Sequence, residues 1–270
     1  MRAAGQPAAV RAAGWPVAVV ALAVAAVLAA GCGRGAPQPA PGAGPASRPG
    51  RAGFAVLVFS RTTGYRHASI RDGTAAIRRL GAEHGFTVDA TEDPAWIADA
   101  TLARYRVVVF LSTTGEPLGP PQQAPLRRWV ERGGGWVGVH AAADALYDWP
   151  WYGELVGAWF KRHPAVQQAT VRVTDPHHPS TAPLPAAWTR TDEWYDFRAD
   201  PRGRVHVLAV VDESTYHGGG MGADHPVVWC HPQGRGRSWY TSLGHTQASW
   251  HEPRFLAHVL GGIRWAAAAA

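Results

Sequence analysis

Three short apolar runs limit the folds open to this chain. Phe54–Ser60 (FAVLVFS), Val107–Ser112 (VVVFLS) and Trp136–His140 (WVGVH) are rich in β-forming residues, and each runs out into polar sequence. Runs of this length without polar alternation read as strands covered on both faces, which calls for helices above and below a parallel sheet. Helical spacing lies between them. Ser69 reads as an N-cap, Ile70, Ile77 and Leu80 follow on one face, and Gly85 stops the segment; Pro121–Arg132 reads as a second helix before Gly133. Phe86–Thr91 supplies one more strand. The alternation predicts an α/β domain with a flavodoxin-like, doubly wound, mostly parallel sheet. Beyond this core the spacing predicts a helix from Trp151 to Phe160, then β-rich elaborations at Ala169–Val173, Val205–Val211, Val227–Cys230 and Ser238–Thr241, and a last helix over Pro253–Ala266.

A hydrophobic content of 46% with 17% charged residues describes a packed globule over most of the 270 residues. The net charge of +6 raises the question of a nucleic-acid partner. Yet the arginines are scattered, Lys161 is the lone lysine, and no basic element interleaves with aromatics, so nucleic acid is not expected as a partner.

The N-terminus has a different composition. Arg2 and Arg11 precede an apolar run over Trp15–Ala30, too short for a comfortable membrane span and ordered like a secretory signal. It ends in Leu28-Ala29-Ala30-Gly31-Cys32, which resembles the lipobox of bacterial lipoproteins, with Ala29 where leucine is commoner. Residues 1–31 are thus expected to be a signal peptide and Cys32 the lipidated residue. Residues 32–53, rich in Pro, Gly and Ala, are expected to be a tether, and 54–267 the folded domain. The expected location is the extracytoplasmic face of the cell membrane, held there by the lipid anchor.

In an open α/β sheet, ligands sit beyond the carboxyl ends of the strands. Polar residues follow three of them: Tyr65, Arg66 and His67 after the first, Ser112–Glu116 after the third, and His140 with Asp144 after the fourth. Gly133–Ala142 (GGGWVGVHAA) has the form of a strand entering a sharp turn, where other α/β enzymes present a nucleophile. The side chain presented here is an imidazole. Cys230 falls on a different predicted strand and reads as a small buried residue, so Cys-dependent acyl chemistry is not expected. The thirteen histidines show no tight pair such as His-Glu-x-x-His, leaving the metal signal weak. Thr191–Phe197 (TDEWYDF) mixes Asp192 and Glu193 with Trp194 and Tyr195, either as a sugar-binding surface or as a charged edge strand. The loops after Asp212 contain glycines but no phosphate-binding pattern.

Taken with Thr63–His67, Gly133–His140, Tyr152–Ala158, His163-Pro164, Asp192–Tyr195, Asp212–Ser214, His225-Pro226 with Trp229, and Tyr240–His245, the chain resembles the trehalose-utilisation (ThuA-like) family. The resemblance implies the class I glutamine amidotransferase-like fold with its nucleophilic cysteine replaced, and a role in disaccharide or glycoside catabolism, often beside a dehydrogenase that makes 3-keto sugars. Ala141 departs from the family, which often has serine there.

Three functional readings follow. In the first, the domain is an enzyme on a glycoside or keto-glycoside. His140 serves as general acid or base, Glu193 as its carboxylate counterpart and His67 beside them, while Arg66, Tyr65, Asp144, His163, Asp192, Tyr195, Asp212, Trp229 and His245 bind substrate. In the second, the same residues hold carbohydrate without turning it over. In the third, His67, His140 and His163 or His245 hold a divalent metal for hydrolysis. No other cofactor is expected.

Overall fold

The structure, a computed structural model, describes residues 53–268; the expected signal peptide, Cys32 and most of the expected tether lie outside them. In chain order the elements are β1 (Ala55–Phe59), α1 (Ser69–His84), β2 (Thr87–Thr91), α2 (Asp99–Leu102), β3 (Val107–Leu111), α3 (Pro120–Glu131), β4 (Gly135–Val139) and α4 (Pro150–Val156). There follow β5 (Phe160–Arg162), β6 (Gln167–Val173), β7 (Ala187–Asp192), β8 (Asp196–Phe197), β9 (His206–Asp212), β10 (Pro226–Gln233), β11 (Gly236–Thr241) and α5 (Pro253–Ala267).

A nine-stranded sheet runs in the order β2-β1-β3-β4-β11-β10-β9-β6-β7. The first five strands are parallel, and the 2-1-3-4 order with β11 in fifth place is the flavodoxin-type winding. β10, β9, β6 and β7 extend the sheet by antiparallel pairing, and β5 pairs with β8 in a small separate ribbon. The predicted α/β class is present, with its elaborations gathered on one side of the parallel core. Among the described residues no helix is long and apolar enough to cross a membrane.

The apolar runs are continuous because side chains alternate between two covered faces. Val56 and Val58 point into a core with Ile77, Leu80, Val109, Val139, Val259 and Ile263, under α1 and α5. Leu57 and Phe59 point the other way, against Phe110, Leu126, Val130, Trp136, Tyr152 and Leu155, under α3 and α4.

Three local expectations are corrected. Ala68, not Ser69, occupies the N-cap of α1, and the Ser69 hydroxyl is buried without a partner. The helix expected to reach Phe160 ends at Val156, because Gly157 turns at φ +90° with Trp229 against its Cα, and Phe160 opens β5 instead. Ala187–Asp192, in no predicted element, is the edge strand β7.

His258 on α5 illustrates the cost of a buried imidazole. Its Nδ1 donates to the Ser180 carbonyl at 2.8 Å, and its ring packs among Trp239, Trp188 and Phe255. Burial lowers its pKa from 6.5 to about 3. With the folded pKa depressed, the stability tied to this group is complete above about pH 6.5 and is lost as the pH falls below it, levelling near pH 3. At about 1.4 kcal/mol per pH unit, the loss from this residue by pH 4.5 is about 2–3 kcal/mol. Urea unfolding at several pH values is expected to show that fall in the wild type and a shallower one in His258→Asn; equal slopes would contradict it.

Candidate active site

The loops that leave β1, β4, β5, β7 and β11 meet at the carboxyl end of the sheet. They enclose a cleft of about 350 Å³ lined by Tyr65, His67, Asp144, Phe160, His163, Glu193, Tyr195 and His245. That volume lies at the lower end of the range for small-molecule sites.

The turn after β4 has the sharpness that its sequence suggests. His140 is non-glycine yet has φ +51°, and Ser112, after β3, has φ +49°. Left-handed backbone in such residues is costly and persists where the surroundings fix it. Here Tyr240 Oη donates to the His140 carbonyl at 2.8 Å, and the ring is tied down at Nδ1, 2.7 Å from the Ser242 carbonyl. A carbonyl only accepts, so Nδ1 carries a proton. In the neutral ring, Nε2 is then the lone-pair atom.

That Nε2 lies 3.1 Å from His245 Nδ1 and 3.4 Å from Glu193 Oε2. His245 Nδ1 is 3.2 Å from the same carboxylate oxygen, and His163 Nδ1 is 3.0 Å from the other, Oε1. The His67 ring stands edge-on to His140 and His245, with centroids 4.8 and 5.2 Å away. His140 is wholly buried beneath the floor, whereas the His163 side chain is 41% exposed at the mouth.

Charge is sorted across this floor. Burial alone would push Glu193 up, but the hydrogen bonds and charges of His140 and His245 overcome it and hold the carboxylate well below its usual range. His245 is raised, since its pairing with Glu193 outweighs burial. His67 is lowered to about 3 by burial and by the neighbouring imidazoles, so it stands neutral. Asp144 is raised by burial, despite the Tyr147 hydroxyl that donates to it at 2.7 Å.

Asp192 lies under the floor. Its Oδ1 accepts the amides of Glu193 and His245 at 3.0 Å each, and its Oδ2 accepts that of Gly244 at 2.9 Å and pairs with buried Arg190 at 3.0 Å. It therefore fixes the relative positions of Glu193 and His245 and does not reach the cleft. Glu193 follows directly on the edge strand β7, whose last residues are Thr191 and Asp192. Arg66, Asp212 and Trp229 lie elsewhere. Arg66 makes a two-pronged pair with Glu92 at 2.6 and 2.9 Å, Asp212 pairs with Arg172 and caps the following turn, and Trp229 donates to the Val156 carbonyl inside the core. Cys230 is buried within β10, its thiol pushed up to about 12 by burial.

Phe160, Ser242 and Arg190 carry parts of the site that sequence reasoning passed over. Phe160 falls in the helix that the spacing predicts, Ser242 acts only through its carbonyl, and Arg190 lies in a segment with no predicted element. The cleft and its turn at His140 invite comparison with known families, and the pattern of the trehalose-utilisation (ThuA) family matches residues 55–266. The chain belongs to the ThuA family. Among solved structures, a ThuA-like protein from Bacteroides uniformis is 26% identical with a TM-score of 0.70, over 83% of this chain and 95% of that one. A ThuA-like protein from Parabacteroides merdae is 20% identical with a TM-score of 0.67, over 80% of this chain and 90% of that one. The β-galactosidase from Bacillus circulans sp. alkalophilus shares the fold alone, at 14% identity and a TM-score of 0.52, over 80% of the ThuA chain and 30% of its own length. No match is found among curated proteins.

Proposed function

We propose that this ThuA domain is an enzyme of glycoside utilisation that acts on a 3-keto glycoside by proton transfer. The observation that carries the reading is that two carboxylates, Glu193 and Asp144, line one cleft of small-molecule size, with Asp144 raised by its burial. Such a pair separates a base from an acid at one pH. Glu193, ionised, takes the proton from the carbon beside the keto group. The electron pair left behind forms the enolate, whose collapse expels the glycosidic oxygen, and Asp144 protonates that oxygen. Tyr195, Phe160 and the exposed rim residue Tyr65 offer ring faces to the CH face of a sugar.

This moves the role of base from His140 to Glu193, because His140 is wholly buried and its Nε2 is directed at His245 and Glu193. The N-terminal pattern leads us to propose further that the domain is exported and lipid-anchored through Cys32, with a sugar dehydrogenase of the same pathway as the source of its keto substrate. Mass spectrometry of products, after the full-length protein meets trehalose, other glucosides and their 3-keto forms, tests the assignment. Cleavage of the keto forms that is lost in Asp144→Asn is expected; binding without cleavage in the wild type would overturn it in favour of a carbohydrate-binding protein.

A further inference from the structure

We infer that His67, His140, Glu193 and His245 form a binding site for a divalent first-row transition-metal ion such as zinc, whose bond lengths fit the site. The inference goes beyond the proposed reaction and stands whichever substrate the cleft takes.

One donor atom from each of the four residues lies within 4.8 Å of all the others. Three of them, His140 Nε2, His245 Nδ1 and Glu193 Oε2, form a triangle with edges of 3.1, 3.2 and 3.4 Å. Tetrahedral zinc with bonds of about 2.0–2.1 Å sets its donors about 3.3–3.4 Å apart. The triangle already has that size. A proton on one imidazole bridges one edge of this triangle at a time, whereas an ion at the centre serves all three atoms.

Two further observations point the same way. His140 Nδ1 donates to the Ser242 carbonyl, the arrangement that fixes the tautomer of a ligating histidine and turns its other nitrogen to the metal. His67 is 95% buried, and its Nδ1 has no hydrogen-bond partner. A buried ring nitrogen is costly when unsatisfied, so a ligand there has something to gain. Three imidazoles and one carboxylate suit zinc, manganese, iron or nickel, not calcium or magnesium, which prefer oxygen.

A second convergence, of Asp196, Glu213 and His225, shows the contrast. There Glu213 Oε1 accepts the amides of Met221 and Gly222 at 2.8 and 3.0 Å and faces His225 Nδ1 at 2.8 Å, while His225 Nε2 bonds the Tyr195 carbonyl. Those groups are occupied in holding a loop. In the first cluster, Glu193 Oε1, which faces His163, and Asp144, which accepts from Tyr147, stay outside the coordinating set.

The test is zinc binding by full-length protein stripped with a chelator, followed by calorimetry with zinc chloride alone and by metal analysis after dialysis. One ion per chain is expected, with a rise in the thermal midpoint. Glu193→Gln and His245→Ala, both on loops at the cleft, are each expected to weaken zinc binding by about 100-fold or more while keeping the wild-type circular dichroism. His206→Ala, which removes an exposed histidine elsewhere, is expected to leave it unchanged. Absence of binding in the wild type, or equal binding in all four proteins, would overturn the inference. Sugar turnover enters none of these readouts, so this site and the proposed reaction fail separately.

Discussion

Replacing Glu193 with glutamine is expected to lower kcat on a 3-keto glycoside by about 10²–10⁴-fold, the range that a positioned acid or base contributes. The substitution keeps the shape and removes the charge. Two imidazoles are drawn to that charge, His140 at 3.4 Å and His245 at 3.2 Å, and a third, His163, donates to its other oxygen. An amide cannot take a proton from carbon at neutral pH. Binding of the sugar should change far less, because the walls of Tyr195, Phe160 and Tyr65 remain. Steady-state kinetics with circular dichroism as a check on folding distinguishes the cases; a variant within threefold of wild-type kcat would remove Glu193 from the chemistry.

Removal of Asp192 should be felt in the fold itself. Asp192→Ala is expected to cost about 3–5 kcal/mol, since breaking a buried ion pair strands the partner charge. Asp192 is wholly buried, and Arg190 is 97% buried in its side chain. The guanidinium keeps only the weaker contact with Glu252 at 3.3 Å, the Ser249 hydroxyl, and the faces of Trp188 and Phe255. The amides of Glu193, Gly244 and His245 lose their acceptor at the same time. The double variant Asp192→Ala/Arg190→Met, which leaves no stranded charge, should recover part of the loss. Urea unfolding measures both, and a single variant within 1 kcal/mol of wild type would contradict the assignment.

The parts of this architecture visible in the sequence are those where one physical rule acts alone. β1, β3 and β4 are buried on both faces, so apolar composition is enough to find them. The turn at His140 was legible because Gly133–Gly135 and Gly138 frame a strand that ends in a polar residue. β7 was not legible. In AWTRTD the exposed positions alternate with Trp188, Arg190 and Asp192, and two of those three buried residues are charged. Only tertiary pairing between them makes their burial tolerable, and a single sequence does not show pairing.

The site followed the same division. That His67, His140, Glu193 and His245 were candidates came from residue type and from position after strands. That they meet at one point depends on the order of strands in the sheet, which sets β11 beside β4 and brings residues more than a hundred positions apart into contact. Arg66 shows the converse. It follows β1 just as His67 does, but the guanidinium turns outward to Glu92, where an exposed pair contributes little.

Proton exchange on the substrate bears most directly on the account. A 3-keto glucoside in deuterated water, followed by proton NMR with wild type and Glu193→Gln, reports whether the carbon beside the keto group gives up its proton in this cleft. The account predicts that the wild type washes deuterium into that position, or into product derived from it, faster than the protein-free control, and that the variant does not. Exchange at the same rate in both proteins, or no exchange above the control in the wild type, would contradict it.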